Sequence, residues 1–279
     1  MLMLTERSFP FASQMPSKLK EYGEAQNRFR QYINLENNQQ APALADAYNR
    51  IGDCLYQNRQ FAQAEENYTH AAQLQPSAGD YSVYQKGFLL GLQKDYRGKI
   101  SAMDRLLRDY PESQYVDDAL FEKGRTYVLL ENSSQAAQAF ETLIQQFPQS
   151  SLARKAGIQL GLLYFNDNQP EKAATAYKQV ISNYPGSEEA RVALQDLKSV
   201  YIDLNDINSY ANYVNSLGGN IRLEVGEQDS LTYLAAEKLF NRGNNEEVCR
   251  SLIYYLQTFP EGAFGSFGNF YLGSIVLSK

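Results

Sequence analysis

The chain has 279 residues, a net charge of −6 and an isoelectric point near 5.0, with 26 Lys and Arg scattered among 32 Asp and Glu. That distribution lacks the clustered positive footprint of a nucleic-acid binder. No run approaches the ~18 apolar residues needed to span a bilayer, and Met1-Leu2-Met3-Leu4 passes at once into Thr5-Glu6-Arg7, too short for the apolar core of a signal peptide.

The first periodic segment runs from Ser17 through Ala25 to Phe29, Tyr32 and Ile33, the apolar spacing of one helix face. It reads as the second helix of a hairpin. Pro10 and Pro16 exclude a regular first helix before it, so residues 1–44 are expected to form a partial repeat or cap. From Ala45 a pattern sets in: Tyr48, Ile51-Gly52, Leu55, then Ala64, Tyr68, Ala71 and Pro76. It returns as Gly87, Met103, Leu106 and Pro111, as Gly124, Ala136, Phe140 and Pro148, and as Gly161, Ala173, Tyr177 and Pro185. The last three copies each close on an aromatic-Pro-x-Ser mark: Tyr110 to Ser113, Phe147 to Ser150 and Tyr184 to Ser187, with prolines 37 residues apart. Proline cannot continue a helix and serine caps the next one, so each mark predicts a helix end followed by a helix start. Gly161 is expected to face Ala173 where two helices cross. Lys99 stands where the other copies place a small residue, which predicts a looser crossing in that hairpin.

A degenerate copy follows with Leu194, Leu197, Tyr201, Tyr210 and Val214, Lys198 replacing the glycine and Gly218-Gly219 ending it. Residues 45–219 thus read as an array of about five repeats. Residues 220–228, where Ile221, Leu223 and Val225 alternate with polar neighbours, read as an irregular or extended insert and the best place for a hinge. Residues 229–279 hold a further repeat with Ala235-Ala236, Leu239, Val248, Leu252, Tyr255 and Pro260, then Phe270-Tyr271-Leu272-Gly273-Ser274 as the first helix of another, truncated one. So apolar an end is expected to be covered by a partner or by further chain.

These offsets resemble the tetratricopeptide repeat, a 34-residue helical hairpin. The 37-residue step with its aromatic-Pro-x-Ser mark is similar to the repeats of bacterial envelope proteins, among them the Tol-Pal coordinator and outer-membrane assembly lipoproteins. The resemblance implies an all-α fold, a right-handed α-solenoid of helical hairpins whose concave face binds a peptide or a partner protein. It implies a periplasmic or envelope-associated setting, with the cytoplasm as the alternative, since cytoplasmic members share the motifs. Projecting the family's groove positions onto the first helix of each repeat selects Tyr56, Tyr81, Tyr84, Phe88, Phe121, Arg125, Phe165, Tyr233 and Phe240 as the partner-binding set, with Asp46, Asn49, Asp53, Asp118, Ile158, Leu162 and Glu237 alongside. The groove is expected to be aromatic, in a chain with 21 Tyr, 14 Phe and no Trp. The Lys, Asn and Arg clamp that holds a peptide carboxylate in chaperone-type members is absent.

Catalysis finds no constellation to stand on. His70 is the sole histidine, which leaves no cluster for metal, and Gly91 to Gly98-Lys99-Ile100 lacks the spacing and hydroxyl of a phosphate loop. The acid pairs Asp117-Asp118, Glu188-Glu189 and Glu246-Glu247 fall at predicted helix starts, where negative charge favours the helix dipole. No cofactor or metal is expected, and Cys54 and Cys249 read as separate packing thiols. The leading reading is a non-catalytic interaction scaffold. The alternatives are a passive spacer in a longer repeat protein, or an accessory domain of an enzyme whose catalytic part lies elsewhere.

Overall fold

The computed structural model describes residues 18–36, 42–218, 223–242 and 245–277, and all regular structure among them is helical. The chain divides between Leu143 and Ile144 into two compact units. The N-terminal unit holds α1 (Lys18–Leu35), then α2 (Pro42–Gln57) with α3 (Phe61–Leu74), a short 3-10 turn at Pro76–Ala78, α4 (Asp80–Leu92) with α5 (Tyr96–Asp109), and α6 (Val116–Leu129) leading into α7 (Ser133–Gln146), whose last three residues fall to the C-terminal unit. The C-terminal unit holds α8 (Ser151–Asn166) with α9 (Pro170–Asn183), α10 (Glu188–Asp203) with α11 (Ile207–Ser216), α12 (Val225–Asn241) with α13 (Asn245–Thr258), and α14 (Gly265–Leu277). Successive helices pair as hairpins in each unit.

One contact builds the hairpins. A β-carbon placed on Gly52, Gly87, Gly124 or Gly161 would lie 2.7, 2.5, 2.5 or 2.4 Å from Tyr68, Met103, Phe140 or Tyr177, in each case the residue sixteen positions later. These four partners are at most 1 % exposed. The glycine thus seats a large side chain of the second helix directly on the backbone of the first. The sequence expectation that Gly161 faces Ala173 is corrected: the ring of Tyr177 covers it, because helical side chains lean toward the N-terminus and reach a spot about one turn back. Ala173, fully buried, lies one turn earlier in α9.

Every hairpin from α2 to α11 also turns on a left-handed residue, namely Arg59, Lys94, Glu131, Asn168 and Asn205, with φ between 53° and 65°. These lie 35 or 37 residues apart and end the first helix of each pair in the manner of a left-handed C-terminal cap. The degenerate hairpin, α10 with α11, keeps this turn, so it is a structural repeat although Lys198 has replaced its glycine. Lys198 instead points to Glu227, 2.7 Å away.

The marks do what their residues dictate, with one exception. Ser150 and Ser187 cap α8 and α10 through hydrogen bonds from the Leu152 and Ala190 amides. Ser113 does not cap α6, which starts after Tyr115. Its hydroxyl donates to Asp80, 2.6 Å away, and accepts from the Tyr115 amide, tying the turn to the preceding hairpin. The marks themselves link backward: Tyr110 and Tyr184 donate to the carbonyls of Pro76 and Pro148 in the preceding turns. An aromatic stack recurs in both units. Tyr84 lies on Tyr115 at 5.0 Å and 14°, and 149 positions further on Tyr233 lies on Phe264 at 4.6 Å and 7°.

Two sequence expectations change. Residues Val225–Gln228, read as the end of an irregular insert, form the first turn of α12, while 219–222 lie outside the described residues. Lys99 does not loosen its hairpin. Gly87 still meets Met103, and the lysine stem runs over Gly91, where a β-carbon would lie 2.8 Å from Lys99 Cδ.

Cys54 and Cys249 are free thiols, Cys54 buried and Cys249 half-buried. Burial, then the neighbouring Asp53 charge, pushes the Cys54 thiol up to about 11. At pH 8 only about one Cys54 in a thousand is then thiolate, the reactive form. Brief alkylation of the native protein at pH 8 is expected to leave Cys54 unmodified, and alkylation in denaturant to label both cysteines. Rapid native labelling of Cys54, located by peptide mass spectrometry, would contradict its burial.

Candidate functional site

The first helices of the N-terminal unit, α2, α4 and α6, carry six of the nine residues projected onto the groove. The structure separates them into two groups. Tyr84 and Phe121 are 2 % and 7 % exposed, and in the C-terminal unit Tyr233 is 6 % exposed. These three pack between helices: Tyr84 under Tyr115, Phe121 against Phe140 at 6.0 Å, and Tyr233 under Phe264. The expectation of a continuous open aromatic stripe is corrected at these positions, because the loop or helix that follows covers the ring. Tyr56, Tyr81, Phe88 and Arg125 remain half-exposed, as do Phe165 and Phe240 in the C-terminal unit. Phe165 packs on the core around Tyr177 and Leu197, and Phe240 lies 4.6 Å from Tyr271.

In the N-terminal unit the half-exposed residues join into one line across three hairpins. Tyr56 and Phe88 approach to 6.3 Å between ring centres. The Lys99 ammonium lies 5.9 Å over the Phe88 ring and pairs with Glu122 of α6. Glu122 also accepts from Arg125 at 3.1 Å, and the Arg125 guanidinium lies 5.9 Å over Phe121. Lys99 and Glu122 are 10 % and 7 % exposed at their side chains, whereas Arg125 is 37 % exposed. One end of the line is therefore aromatic and the other cationic, with a buried ion pair fixing the distance between them.

A second network stiffens the same face. Asp53 accepts from the hydroxyls of Tyr68 at 2.8 Å and Tyr81 at 2.6 Å and pairs with Arg50 at 3.4 Å. Burial raises the Asp53 carboxyl above the ordinary aspartate value, and the two tyrosine hydrogen bonds and Arg50 oppose that rise. One turn earlier on α2, Asn49 accepts from Ser82 of α4. Sequence reasoning placed Asp53 and Asn49 on this face but missed Lys99 and Glu122. The available signal was a lysine at a position that is alanine in the neighbouring copies, facing an acid on the next first helix.

The remaining chemical candidates resolve as structure. His70 packs edge-on against Tyr48 at 4.3 Å. Asp117 and Asp118 are buried in the first turn of α6, and Glu188 pairs with Arg191 one turn on. Among the described residues no group of three or more His, Cys, Asp or Glu is placed to hold a metal ion, and no helix is long and apolar enough to cross a membrane.

Comparison with known families fits this geometry. Residues 45–78 match the model of the tetratricopeptide repeat, a segment that spans α2, α3 and the glycine contact at Gly52. The chain thus carries a tetratricopeptide repeat, followed by hairpins of the same build. Residues 116–200, from α6 into α10, match a family model described as an outer membrane lipoprotein. Among solved structures, YrrB, a tetratricopeptide-repeat protein described as having an unusual peptide-binding site, aligns with TM-score 0.50 at 17% identity over 75% of this chain and 96% of that one. BtubC from P. vanneervenii aligns with TM-score 0.55 at 13% identity over 72% of this chain and 88% of that one. MamA aligns with TM-score 0.50 at 19% identity, covering 61% and 88%. At these identities the likeness is one of fold. No curated protein matches the chain in sequence. Tetratricopeptide repeats typically mediate protein–protein interaction, and both matched families are generally non-catalytic.

Proposed function

We propose that this protein is a non-catalytic scaffold that binds a peptide or partner segment along α2, α4 and α6 of its N-terminal unit. The observation that carries this reading is the line from Tyr56 and Phe88 to Arg125, half-exposed at both ends and held by the buried Lys99–Glu122 pair. Its chemistry suits a segment with an apolar side chain for the two rings and, further along, a carboxylate for the guanidinium. The unusual peptide-binding site described for YrrB supports the same kind of ligand. The outer membrane lipoprotein match over residues 116–200 supports a place in an envelope assembly.

The test is a peptide selected from a random library on the intact chain, its affinity measured by fluorescence anisotropy. Phe88→Ala and Arg125→Glu are each expected to weaken it by about tenfold or more, equivalent to ~1.4 kcal/mol. Tyr84 and Phe121 are unsuitable probes because both are buried packing residues. Unchanged affinity in both variants would refute the groove. The burial of Tyr84, Phe121 and Tyr233 favours a second reading, a structural spacer, which predicts that selection yields no binder on this face.

A further inference from the structure

The residue that follows the hairpin glycine changes character from one first helix of the N-terminal unit to the next. Asp53, Phe88 and Arg125 follow Gly52, Gly87 and Gly124, so they hold equivalent places on α2, α4 and α6. Across three helices the row reads acid, aromatic, base. In the C-terminal unit the same places hold Leu162, Ser199 and Glu237, with no change of sign between them.

Each charged member of the row sits in a triad. On α2, Arg50 pairs with Asp46 at 3.3 Å and with Asp53 at 3.4 Å, two acids around one base, which leaves one negative charge in excess. At α6, Glu122 pairs with Lys99 and, at 3.1 Å, with Arg125, two bases around one acid, which leaves one positive charge in excess. In each triad an end member faces solvent: the Asp46 side chain is 60 % exposed and that of Arg125 37 %, whereas Asp53, Lys99 and Glu122 are more deeply buried. Arg28 of α1 borders the same small cavity as Asp46, but among the described residues it forms no ion pair with it. Between the triads lie the rings of Tyr56 and Phe88.

We propose that the segment bound by the N-terminal unit is charge-ordered: a Lys or Arg at the Asp46–Arg50–Asp53 triad, an apolar side chain on Tyr56 and Phe88, and an Asp or Glu at Arg125. This names the class of ligand for the groove described above and rests on that reading. The opposite order sets like charge against both triads, so the groove selects one order of charges and, with it, the direction in which a given sequence lies.

The test starts from the tightest peptide selected from a random library on the intact chain, with affinities measured by fluorescence anisotropy. That peptide is expected to carry base, apolar residue and acid in line, and exchanging its base and acid is expected to weaken it about tenfold or more. Replacing its base by norleucine should weaken it about threefold, and Asp46→Asn in the protein should add little to that loss, because both changes remove the same attraction. Arg125→Gln should overlap in the same way with a peptide whose acid is replaced by glutamine. Asp46→Lys combined with Arg125→Glu reverses both ends and should favour the exchanged peptide. Binding that depends on Phe88 but tolerates the exchange of charges, or losses that simply add, would overturn the charge order and leave the groove standing. Affinity indifferent to Phe88→Ala would remove the groove, and the charge order with it.

Discussion

Lys99→Met is expected to lower stability by about 2–4 kcal/mol, measured by urea denaturation followed by circular dichroism. Lys99 and Glu122 are both buried, so little solvent screening discounts the loss. Removing the ammonium leaves the Glu122 carboxylate inside the protein with Arg125 as its remaining cation, and a buried charge stripped of a partner is far costlier than the intact pair is favourable. The bond to Arg125 holds the expected loss toward the lower part of the range. The double variant Lys99→Met with Glu122→Leu removes both charges and should recover most of the loss, because an apolar pair of similar volume often equals or exceeds a buried ion pair. A single variant that loses less than about 0.5 kcal/mol, or a double variant no better than the single, would mean that the pair is not buried as described.

Gly161→Leu carries the other large expected effect. The first added carbon would come 2.4 Å from Tyr177, whose ring is 1 % exposed and locked in a core with Leu197 and Tyr201. The ring has no free space to enter, so α8 and α9 must part, at a cost of about 1–3 kcal/mol and at the upper end here because several carbons follow the first. That corresponds to a fall in melting temperature of roughly 5–10 °C. Gly273→Leu is the matched control. With open space around its β-carbon position, it should shift stability by no more than about 0.5 kcal/mol. Equal melting temperatures for Gly161→Leu and wild type would break the glycine-on-aromatic description of the hairpin.

The hairpins were legible because their determinants are local. A glycine, a large residue sixteen positions later and a Pro-x-Ser mark announce a crossing and two helix ends without reference to the rest of the chain. Gly161 shows where that reading slips: spacing identified both helices, but the lean of helical side chains decides whether Ala173 or Tyr177 covers the backbone. Val225 shows another limit. Alternation with polar neighbours suited an extended segment, yet Val225 opens α12 and the Leu223 amide bonds to Asn215 instead.

The candidate site was legible only in part. Family positions selected Tyr56, Phe88 and Arg125, which stay half-exposed, together with Tyr84 and Phe121, which are buried. Those two rings are removed from solvent by Tyr115 and Phe140, residues of a following turn and helix. The Lys99–Glu122 pair joins residues 23 positions apart whose partnership depends on how α5 meets α6. In sequence alone Lys99 looked like a flaw in the packing. In the fold it joins α5 to α6 through Glu122 and lies over the Phe88 ring.

Hydrogen–deuterium exchange of the intact chain, with and without a saturating library-selected peptide, is the most direct measurement of groove binding. Slower exchange concentrated in α2, α4 and α6, and lost in Phe88→Ala, is the predicted result. Protection confined to the second helices α3 and α5, or to α14, would contradict it.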